Sequence, residues 1–397
     1  MSLNHSRPAG RLSAVTLATL AGLATATTAF AQDRQPDAAL LRFPDVSSSH
    51  IVFSFANDLW VVPKDGGTAV PLASPPGPET FPRFSPDGQS VVFAGNYEGG
   101  RDLYIIDMPG GPNAGIAHRL TYHPASERLN DWIATDDGAE HIIFSSNAHQ
   151  GIGRTSDIYT VSPEGGQPQG LPIPYGTTGT ISPSGEWLAY TPNDRDFRTW
   201  KRYKGGLASD IWLFNLNTNE ARQMTTWDGT DTQPMWVPGG NGDVVYYLSD
   251  AGPEHRLNVW KYDVEDDEHE QVTEFSEFDV RFPGIGPGDD GDGEIVFQAG
   301  PELYLLNLRN ERVEQVEVTI PGDRPTLRPR DVNVAQNIMD FGASPGGEKV
   351  VVEARGDIWT LPADKGGPAR NLTRTDGIAE RDPVWSPSGK WIAFLSD

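Results

Sequence analysis

Three cations within eight residues are the feature of this sequence with the most evident chemistry. The stretch Thr199 to Gly206 reads TWKRYKGG and carries Lys201, Arg202 and Lys204. The chain as a whole is acidic, with 31 Lys and Arg against 55 Asp and Glu and a formal net charge of -24. Clustered cations attract carboxylates, and Arg binds them through two parallel hydrogen bonds. We therefore expect this stretch to bind an acidic group such as the C-terminus of a peptide.

Two acids in the same loop offer these cations an alternative role. Asp194 and Asp196 lie a few residues upstream, and ion pairs with them would neutralise the cations and only hold the loop in place. The loop aromatics Trp200 and Tyr203 are more typical of side chains that anchor an insertion than of ligand-stacking residues. The sequence leaves both roles of the cations open.

The residue types that carry out most catalysis lack a supporting pattern. The chain has no cysteine, which excludes disulfides, thiol nucleophiles and thiolate metal ligands. Its 8 histidines lack metal-ligand spacing, and no nucleophile elbow, zinc-protease, P-loop or dinucleotide motif stands in its required context. We therefore predict no catalytic residue, no metal and no cofactor in this chain. Its negative charge also opposes binding to nucleic acid.

The strands that position the cations are predicted by a pattern that repeats along the sequence. Seven segments share a polar anchor followed by an aliphatic and an aromatic residue, as in NDLWVVP and SDIWLFN. The anchors are Asp58, Asp102, Asp157, Asp210, Asn258, Glu302 and Asp357. Turns such as SPDG and SPSG precede most of them, where Pro fixes φ and Gly supplies a positive φ. Four antiparallel strands in about 50 residues are typical of a β-propeller blade.

The repeats predict an all-β protein with a six-bladed β-propeller over residues 40–320, followed by the start of a second β-propeller. A proline-rich linker is expected at 321–329, and one and a half blades of the second ring at 330–397. A single ring of eight blades is the alternative. Because half a blade leaves strand edges unpaired, we expect the sequence to be a fragment of a longer protein.

Residues 1–31 have the features of a secretory signal peptide. Arg7 and Arg11 precede an apolar run, and Ala29-Phe30-Ala31 forms an A-x-A cleavage site. No other stretch approaches the roughly 20 apolar residues that a membrane span requires. We expect a periplasmic or secreted protein without membrane insertion.

The loops between the second and third strands of the blades are the long ones, and they open on one face of a propeller. TWKRYKGG lies in the longest of them, in blade four, and Arg154 and Arg256 lie in the corresponding loops of blades three and five. Arg128 reaches the same face through the connection between blades two and three. We therefore predict a basic rim on this face. Its substrate-binding residues are Arg128, Lys201, Arg202 and Lys204.

The chain resembles the tricorn protease family over nearly all of residues 40–397. The most specific match is Trp200-Lys201-x-Tyr203-x-Gly205-Gly206, followed by Asp-Ile-Trp at 210–212. This resemblance implies that the second propeller is of the seven-bladed type. It implies that the full-length protein is an oligomeric serine protease whose catalytic residues lie in later domains. The propellers would then gate and position peptide substrates.

In that family two adjacent arginines after the second blade are thought to anchor the terminal carboxylate of the substrate. The matching positions here are Glu127 and Arg128, so one cation is retained. The resemblance therefore implies carboxylate anchoring here only if Lys201, Arg202 or Lys204 compensates. The signal peptide is a second difference, because the founding archaeal enzyme is intracellular.

Two other classes of propeller protein compete with this interpretation. Periplasmic proteins of the TolB type bind partner proteins without catalysis, but they place a small α/β domain before the propeller. Prolyl-oligopeptidase-like enzymes join one propeller to an α/β-hydrolase domain, without a second propeller. The early start of blade one argues against the first class, and the predicted restart at residue 330 argues against the second.

Overall fold

The computed structural model describes residues 41–73, 75–148, 155–193, 196–197, 201–289, 291–321, 332–364, 367–375 and 378–397. These residues form two compact units, one within Met1–Asp323 and one within Arg324–Asp397. The one helical segment of these ranges is the 3-10 turn Ala335–Asn337, so the prediction of an all-β protein is confirmed. The described ranges contain no helix with the length and apolar character of a membrane span.

The first unit contains six four-stranded antiparallel sheets in its described part. Sheet 1 comprises β1 (Arg42–Val46), β2 (His50–Phe55), β3 (Asp58–Pro63) and β5 (Val70–Ala73), and β4 (Gly67–Thr68) precedes β5. Sheet 2 comprises β6 (Glu79–Phe84), β7 (Ser90–Gly95), β8 (Asp102–Asp107) and β9 (His118–Arg119). Sheet 3 comprises β10 (Glu127–Ala134), β11 (Glu140–Ser146), β12 (Asp157–Val161) and β13 (Gln169–Gly170).

The remaining three sheets of this unit repeat the arrangement. Sheet 4 comprises β14 (Thr178–Ile181), β15 (Trp187–Thr191), β16 (Trp212–Asn215) and β17 (Ala221–Gln223). Sheet 5 comprises β18 (Asp231–Trp236), β19 (Val244–Ser249), β20 (Asn258–Asp263) and β21 (Glu268–Gln271). Sheet 6 comprises β22 (Val280–Gly286), β23 (Glu294–Ala299), β24 (Glu302–Asn307) and β25 (Arg312–Val316), and β26 (Val318–Thr319) follows it.

The sheets form a closed ring around a central channel. The first strand of each sheet lies against the first strand of the next, and β1 of sheet 1 lies against β22 of sheet 6. We call these six strands, β1, β6, β10, β14, β18 and β22, the inner strands. The short β26 pairs in parallel with β4, which fastens the end of the unit to sheet 1. The prediction of a β-propeller is confirmed.

The second unit begins the same pattern again. One four-stranded sheet comprises β27 (Ile338–Ala343), β28 (Lys349–Ala354), β29 (Asp357–Pro362) and β30 (Arg370–Asn371). A two-stranded sheet comprises β31 (Glu380–Trp385) and β32 (Ile392–Ser396). The predicted signal peptide and all but the first residue of the predicted linker lie outside the described residues.

Turn chemistry sets the hairpins that the sequence predicts. In the SPDG turn between β6 and β7, Gly88 has φ +70°, and its N–H donates to the carbonyl of Ser85 over 2.8 Å. The carboxylate of Asp87 accepts the N–H of Gln89 over 3.0 Å. Glycine is favoured at the last turn position because it has no Cβ to oppose a positive φ.

The hydrophobic core lies between adjacent sheets rather than in the channel. The second strands supply most of its large, fully buried aromatic side chains, among them Phe53, Phe93, Phe144 and Phe297. Leu59 of sheet 1 and Phe93 of sheet 2 belong to one buried cluster, which shows how neighbouring sheets share a core. Each sheet therefore depends on both neighbours for burial of its faces.

Buried acids at the start of three inner strands join sheets 2, 3 and 5 to the sheets that precede them. Glu79 of β6 accepts the N–H of Leu59 in sheet 1 over 2.9 Å. Glu127 of β10 accepts the hydroxyl of Thr121, whose oxygen in turn accepts the N–H of Leu103 over 2.9 Å. We call Glu79, Glu127 and their counterpart in β18, Asp231, the inter-sheet acids.

Burial raises the pKa of all three inter-sheet acids, although their hydrogen bonds oppose the change. The pKa is about 8 for Glu79 and about 7 for Glu127 and Asp231. In the unfolded chain these groups have pKa values near 4. Between these limits the folded state holds protons that the unfolded state has released, so folding stability falls as pH rises.

We expect the free energy of unfolding of this chain to decrease from pH 5 to pH 8, measured by urea denaturation at each pH. The decrease occurs as pH passes through the raised pKa values of the inter-sheet acids. Glu79→Gln should flatten the pH profile, because the amide does not titrate. Glu220→Gln removes an exposed acid and should leave the profile unchanged. Equal slopes for Glu79→Gln and the unmodified chain would contradict this explanation.

Candidate functional site

The inner strands carry an unusual backbone feature at the mouth of the channel. Phe43, Phe81 and Phe282 have φ values of 53°, 53° and 50°, in the left-handed region that bulky residues rarely adopt. Each lies at a β-bulge, where the register of its strand against the second strand shifts. A bulge redirects side chains, and here it brings three aromatic rings together from three different sheets.

These rings form a compact aromatic cluster. The ring centroids of Phe43 lie 4.2 Å from those of Phe81 and 4.7 Å from those of Phe282. Phe197, from the loop that follows β15, packs on all three at 5.7 to 6.2 Å. The three strand residues are buried, whereas Phe197 remains 56% exposed. We call these four residues the phenylalanine cap.

Two arginines hold the loop that bears Phe197. Arg128 of β10 donates to the carboxylate of Asp196, and Arg281 of β22 donates to its backbone carbonyl. Both guanidinium groups also lie over rings of the cap, Arg128 at 4.7 Å from Phe81 and Arg281 at 5.1 Å from Phe282. The loop of sheet 4 is thereby tied to sheets 3 and 6. Because the Arg128–Asp196 pair is largely buried, loss of either charge would leave the other poorly solvated.

A basic pocket lies beside the cap. It is a small cavity of about 40 Å³ whose cations are Lys201, Arg202, Arg256 and Arg281. Three carboxylates, those of Asp196, Asp250 and Asp279, line it as well.

The protein's own donors occupy the acids of the pocket. Asp250 accepts the indole N–H of Trp227 and the backbone N–H of Thr230, each over 2.8 Å. Asp279 accepts the N–H of Leu257 over 3.2 Å. Within the described part of the chain, no carboxylate lies within 4 Å of the cationic groups of Lys201, Arg202 or Arg256. The pocket therefore retains cations that can bind an external anion.

The four residues selected from the sequence have three different environments. Lys201 and Arg202 share the basic pocket. Arg128 joins the same region only through Asp196, with which it forms an ion pair. Lys204 lies 4.2 Å from the ring of Trp227, outside the lining of the pocket.

The alternative role of the cations, an ion pair with an acid of this loop, is thus observed for Arg128 of β10, which pairs with Asp196. Arg256 lines the pocket, in agreement with its predicted face. Arg154, Asp194 and Trp200 lie outside the described residues.

Sequence reasoning missed Arg281 and the phenylalanine cap. A signal was present, because the tripeptide Arg-Phe-Pro occurs both at 42–44 and at 281–283. Both copies sit at the bulge of an inner strand. Recognition of this second repeat would have placed two of the four cap residues.

The comparisons with known proteins agree with this architecture. The sequence profile of the tricorn protease N-terminal β-propeller domain matches residues 38–312. A tricorn protease homolog of Saccharolobus solfataricus is 26% identical over 88% of this chain and 31% of its own length. Tricorn protease homolog 1 of Streptomyces coelicolor is 28% identical over 91% of this chain and 33% of its own length.

A solved structure shows the same fold. The crystal structure of the tricorn protease superposes with a TM-score of 0.61 at 18% identity, over 89% of this chain and 41% of that one. This chain spans about a third of the length of the curated relatives it matches. The match over residues 38–312 covers more than half of the sequence. The chain belongs to the tricorn protease N-terminal β-propeller domain family.

Proposed function

We propose that the first unit is the peptide-binding propeller of a tricorn-like serine peptidase. The observation that carries this proposal is the basic pocket, in which Lys201, Arg202 and Arg256 lack a carboxylate partner among the described residues. In a chain of net charge -24, such a pocket is a local attraction for anions. The anion offered by every peptide substrate or product is its C-terminal carboxylate.

The neighbouring cap gives the peptide an apolar contact. With its carboxylate at Arg202 and Lys201, a peptide can pack an apolar side chain on the exposed ring of Phe197. The two guanidinium groups nearest the cap, those of Arg128 and Arg281, already donate hydrogen bonds to Asp196. Arg128 is therefore a positioning residue for the loop in this proposal, and the pocket cations bind the carboxylate.

The cap also supports the gating role of the propeller. Four phenylalanines close the loop-side mouth of the channel, and only Phe197 belongs to a loop rather than an inner strand. The neighbour of Phe197 in the loop, Asp196, is held by Arg128 and Arg281, so displacement of this part of the loop breaks those contacts. A peptide carboxylate in the basic pocket competes with Asp196 for Arg281, which lines that pocket, and this couples binding to opening.

Hydrolysis, in this proposal, takes place in a catalytic domain outside this sequence, within a homo-oligomer of the full-length protein. The signal-like segment 1–31 supports action in the periplasm or outside the cell. A binding protein of the TolB type is the alternative. It would use the same pocket without cleaving the peptide.

We expect Lys201→Ala with Arg202→Ala to weaken binding of a fluorescent tripeptide with a free C-terminus about tenfold, or about 1.4 kcal/mol. The amidated tripeptide should bind weakly to both proteins, since it lacks the carboxylate. Anisotropy titration of the purified chain measures both affinities. Lys204→Ala is the matched control, because Lys204 packs on Trp227 rather than in the pocket. Unchanged affinity in the double variant would contradict carboxylate binding here.

We expect Asp196→Asn to loosen the loop that carries Phe197. The amide keeps the shape of the side chain but loses the charge that pairs with Arg128. Hydrogen exchange of amides in residues 201–209 should accelerate about tenfold, which corresponds to about 1.4 kcal/mol of local stability. Asp228→Asn removes an exposed charge and serves as the control. Identical exchange in the two variants would argue against the anchoring role of Asp196.

We expect this chain alone to bind peptides without hydrolysing them. Incubation of the purified chain with a fluorogenic peptide, with and without a serine-directed inhibitor, tests this. Inhibitor-sensitive cleavage by the chain would refute the assignment of catalysis to another domain. The product of the complete coding region should cleave the same peptide, and binding without cleavage by that product would favour the TolB-type alternative.

A further inference from the structure

A second cavity lies at the opposite mouth of the channel. Its volume is about 360 Å³, within the range of ligand pockets, and the short turns after the inner strands surround it. The indole rings of Trp132 and Trp236 are part of its wall. Two carboxyl groups, those of Asp45 and Asp131, line it as well, and Asp136 adds a third from a turn. We call this cavity the turn-face vestibule.

The inner end of the vestibule is a layer of side chains across the channel. Each inner strand contributes one residue to this layer. Where the strand has a bulge, this residue is the one next to the bulge, and otherwise it is the residue at the corresponding position of the strand. The six residues are Asp45, Arg83, Asp131, Thr180, Met235 and Gly284. Gly284 leaves room for Asp45, because a Cβ built on it would lie 2.3 Å from the Oδ1 atom of that aspartate.

The layer contains two carboxyl groups and one cation. Arg83 lies 3.7 Å from Oδ1 of Asp45, and it donates to the carbonyls of Asn130 over 2.9 Å and Pro283 over 3.3 Å. It thus reaches across the channel from sheet 2 to sheets 1, 3 and 6. Asp131 accepts the hydroxyl of Thr180 over 2.5 Å and has no ion-pair partner within 4 Å in the described ranges.

Two carboxyl groups of the layer thus share the electrostatic influence of one cation, Arg83. The charged groups that act on Asp45 are Arg83 and Asp131. Oδ1 of Asp45 is buried, and no described residue donates a hydrogen bond to it. Burial raises the pKa of Asp45 to about 7, so the group is only partly ionised at neutral pH, and a cation that reaches it favours the charged form.

One tryptophan that lines the vestibule has an indole N–H without a hydrogen-bond acceptor among the described residues. Trp236 is 3% exposed, and its indole N–H has no hydrogen-bond partner among the described residues. The indole of Trp132, by contrast, donates to Glu140 over 2.9 Å. Buried indole N–H groups usually have an acceptor. Those of Trp60 and Trp260 also lack one among the described residues, but Trp236 differs from them because it lines the vestibule, where a ligand carbonyl could accept this hydrogen bond.

We propose that the turn-face vestibule binds a cationic group of a peptide, either a Lys or Arg side chain or the N-terminal ammonium. The cation lies against Asp45 and Asp131, and its aliphatic stem packs beside Trp132 and Trp236. A backbone carbonyl of the peptide accepts the indole N–H of Trp236. This site is at the other end of the channel from the basic pocket and does not depend on the function proposed for that pocket.

Arg83 limits how far such a ligand can enter. It lines the small cavity beneath the phenylalanine cap, whereas the vestibule is lined by its acidic neighbours in the layer. The bound cation therefore meets the carboxyl groups before it meets the arginine. The vestibule is a closed-ended site for one peptide segment.

Four tripeptides test the proposal by titration of the tryptophan fluorescence of the purified chain and by calorimetry. All are C-terminal amides, so that the basic pocket has no carboxylate to bind. Acetylated Ala-Lys-Ala probes a cationic side chain, and Ala-Ala-Ala with a free N-terminus probes the terminal ammonium. Acetylated Ala-Ala-Ala and acetylated Ala-Gln-Ala are the apolar and the polar uncharged controls. We expect at least one cationic peptide to bind tenfold or more tightly than both controls, and the stronger of the two identifies the source of the cation.

Variants locate the binding in the vestibule. Asp45→Asn should weaken binding of the cationic peptide at least tenfold, and Asp131→Asn provides the same test if the first variant does not fold. Trp236→Phe keeps the ring, removes the donor and should weaken binding about threefold. Asp266→Asn removes an exposed charge far from the cavity and should change nothing. Equal binding of neutral and cationic peptides, no binding of either, or equal affinities of the Asp45 and Asp266 variants would overturn the proposal.

Discussion

Three of the six inner strands, β6, β10 and β18, have a buried acid at their first residue. Glu79 bonds to the preceding sheet through its carboxyl group, and it therefore fixes where β6 begins. Two residues later Phe81 takes its left-handed conformation, and two residues after that Arg83 enters the channel. The same spacing recurs from Asp231 to Gln233 and Met235. In β6, one inter-sheet contact thus fixes the strand start from which both a ring of the aromatic mouth and a residue of the layer across the channel are counted.

Charge is distributed unequally along the channel. The loop-side mouth has cations without carboxylate partners in the described ranges, at Lys201 and Arg202. The turn-side mouth has carboxyl groups that share a single arginine, Arg83. A peptide has opposite charges at its two ends, so the charges at the two mouths are complementary to opposite ends of such a molecule. The net charge of the chain gives no indication of this separation of charge between the two mouths.

The fold was largely predictable from the sequence, because each sheet repeats the same anchor, aromatic and turn residues. The candidate site was less predictable than the fold. Arg128 and Asp196 are 68 residues apart, and their contact depends on the path of a long loop that no local pattern specifies. Lys204 belongs to the same cationic stretch as Lys201 but packs on Trp227, since side-chain direction within an irregular loop is set by its neighbours. Residue patterns that repeat locally can be recognised in a sequence, whereas contacts between residues of distant loops cannot.

The parallel pairing of β26 with β4 has a consequence for the order of folding. It joins Val318 to Gly67 and Thr319 to Thr68, so the first unit is fastened by residues from its two ends. Such a contact carries a high loop-closure entropy and is slow to form. During synthesis, sheets 1 to 5 can pair locally as they emerge, but the contact of β1 with β22 cannot form until residue 286 has left the ribosome, and the pairing of β26 with β4 cannot form until residue 319 has. The nascent propeller therefore exposes the open sides of its first and last completed sheets throughout its translation, and this is the interval in which it is most vulnerable to aggregation.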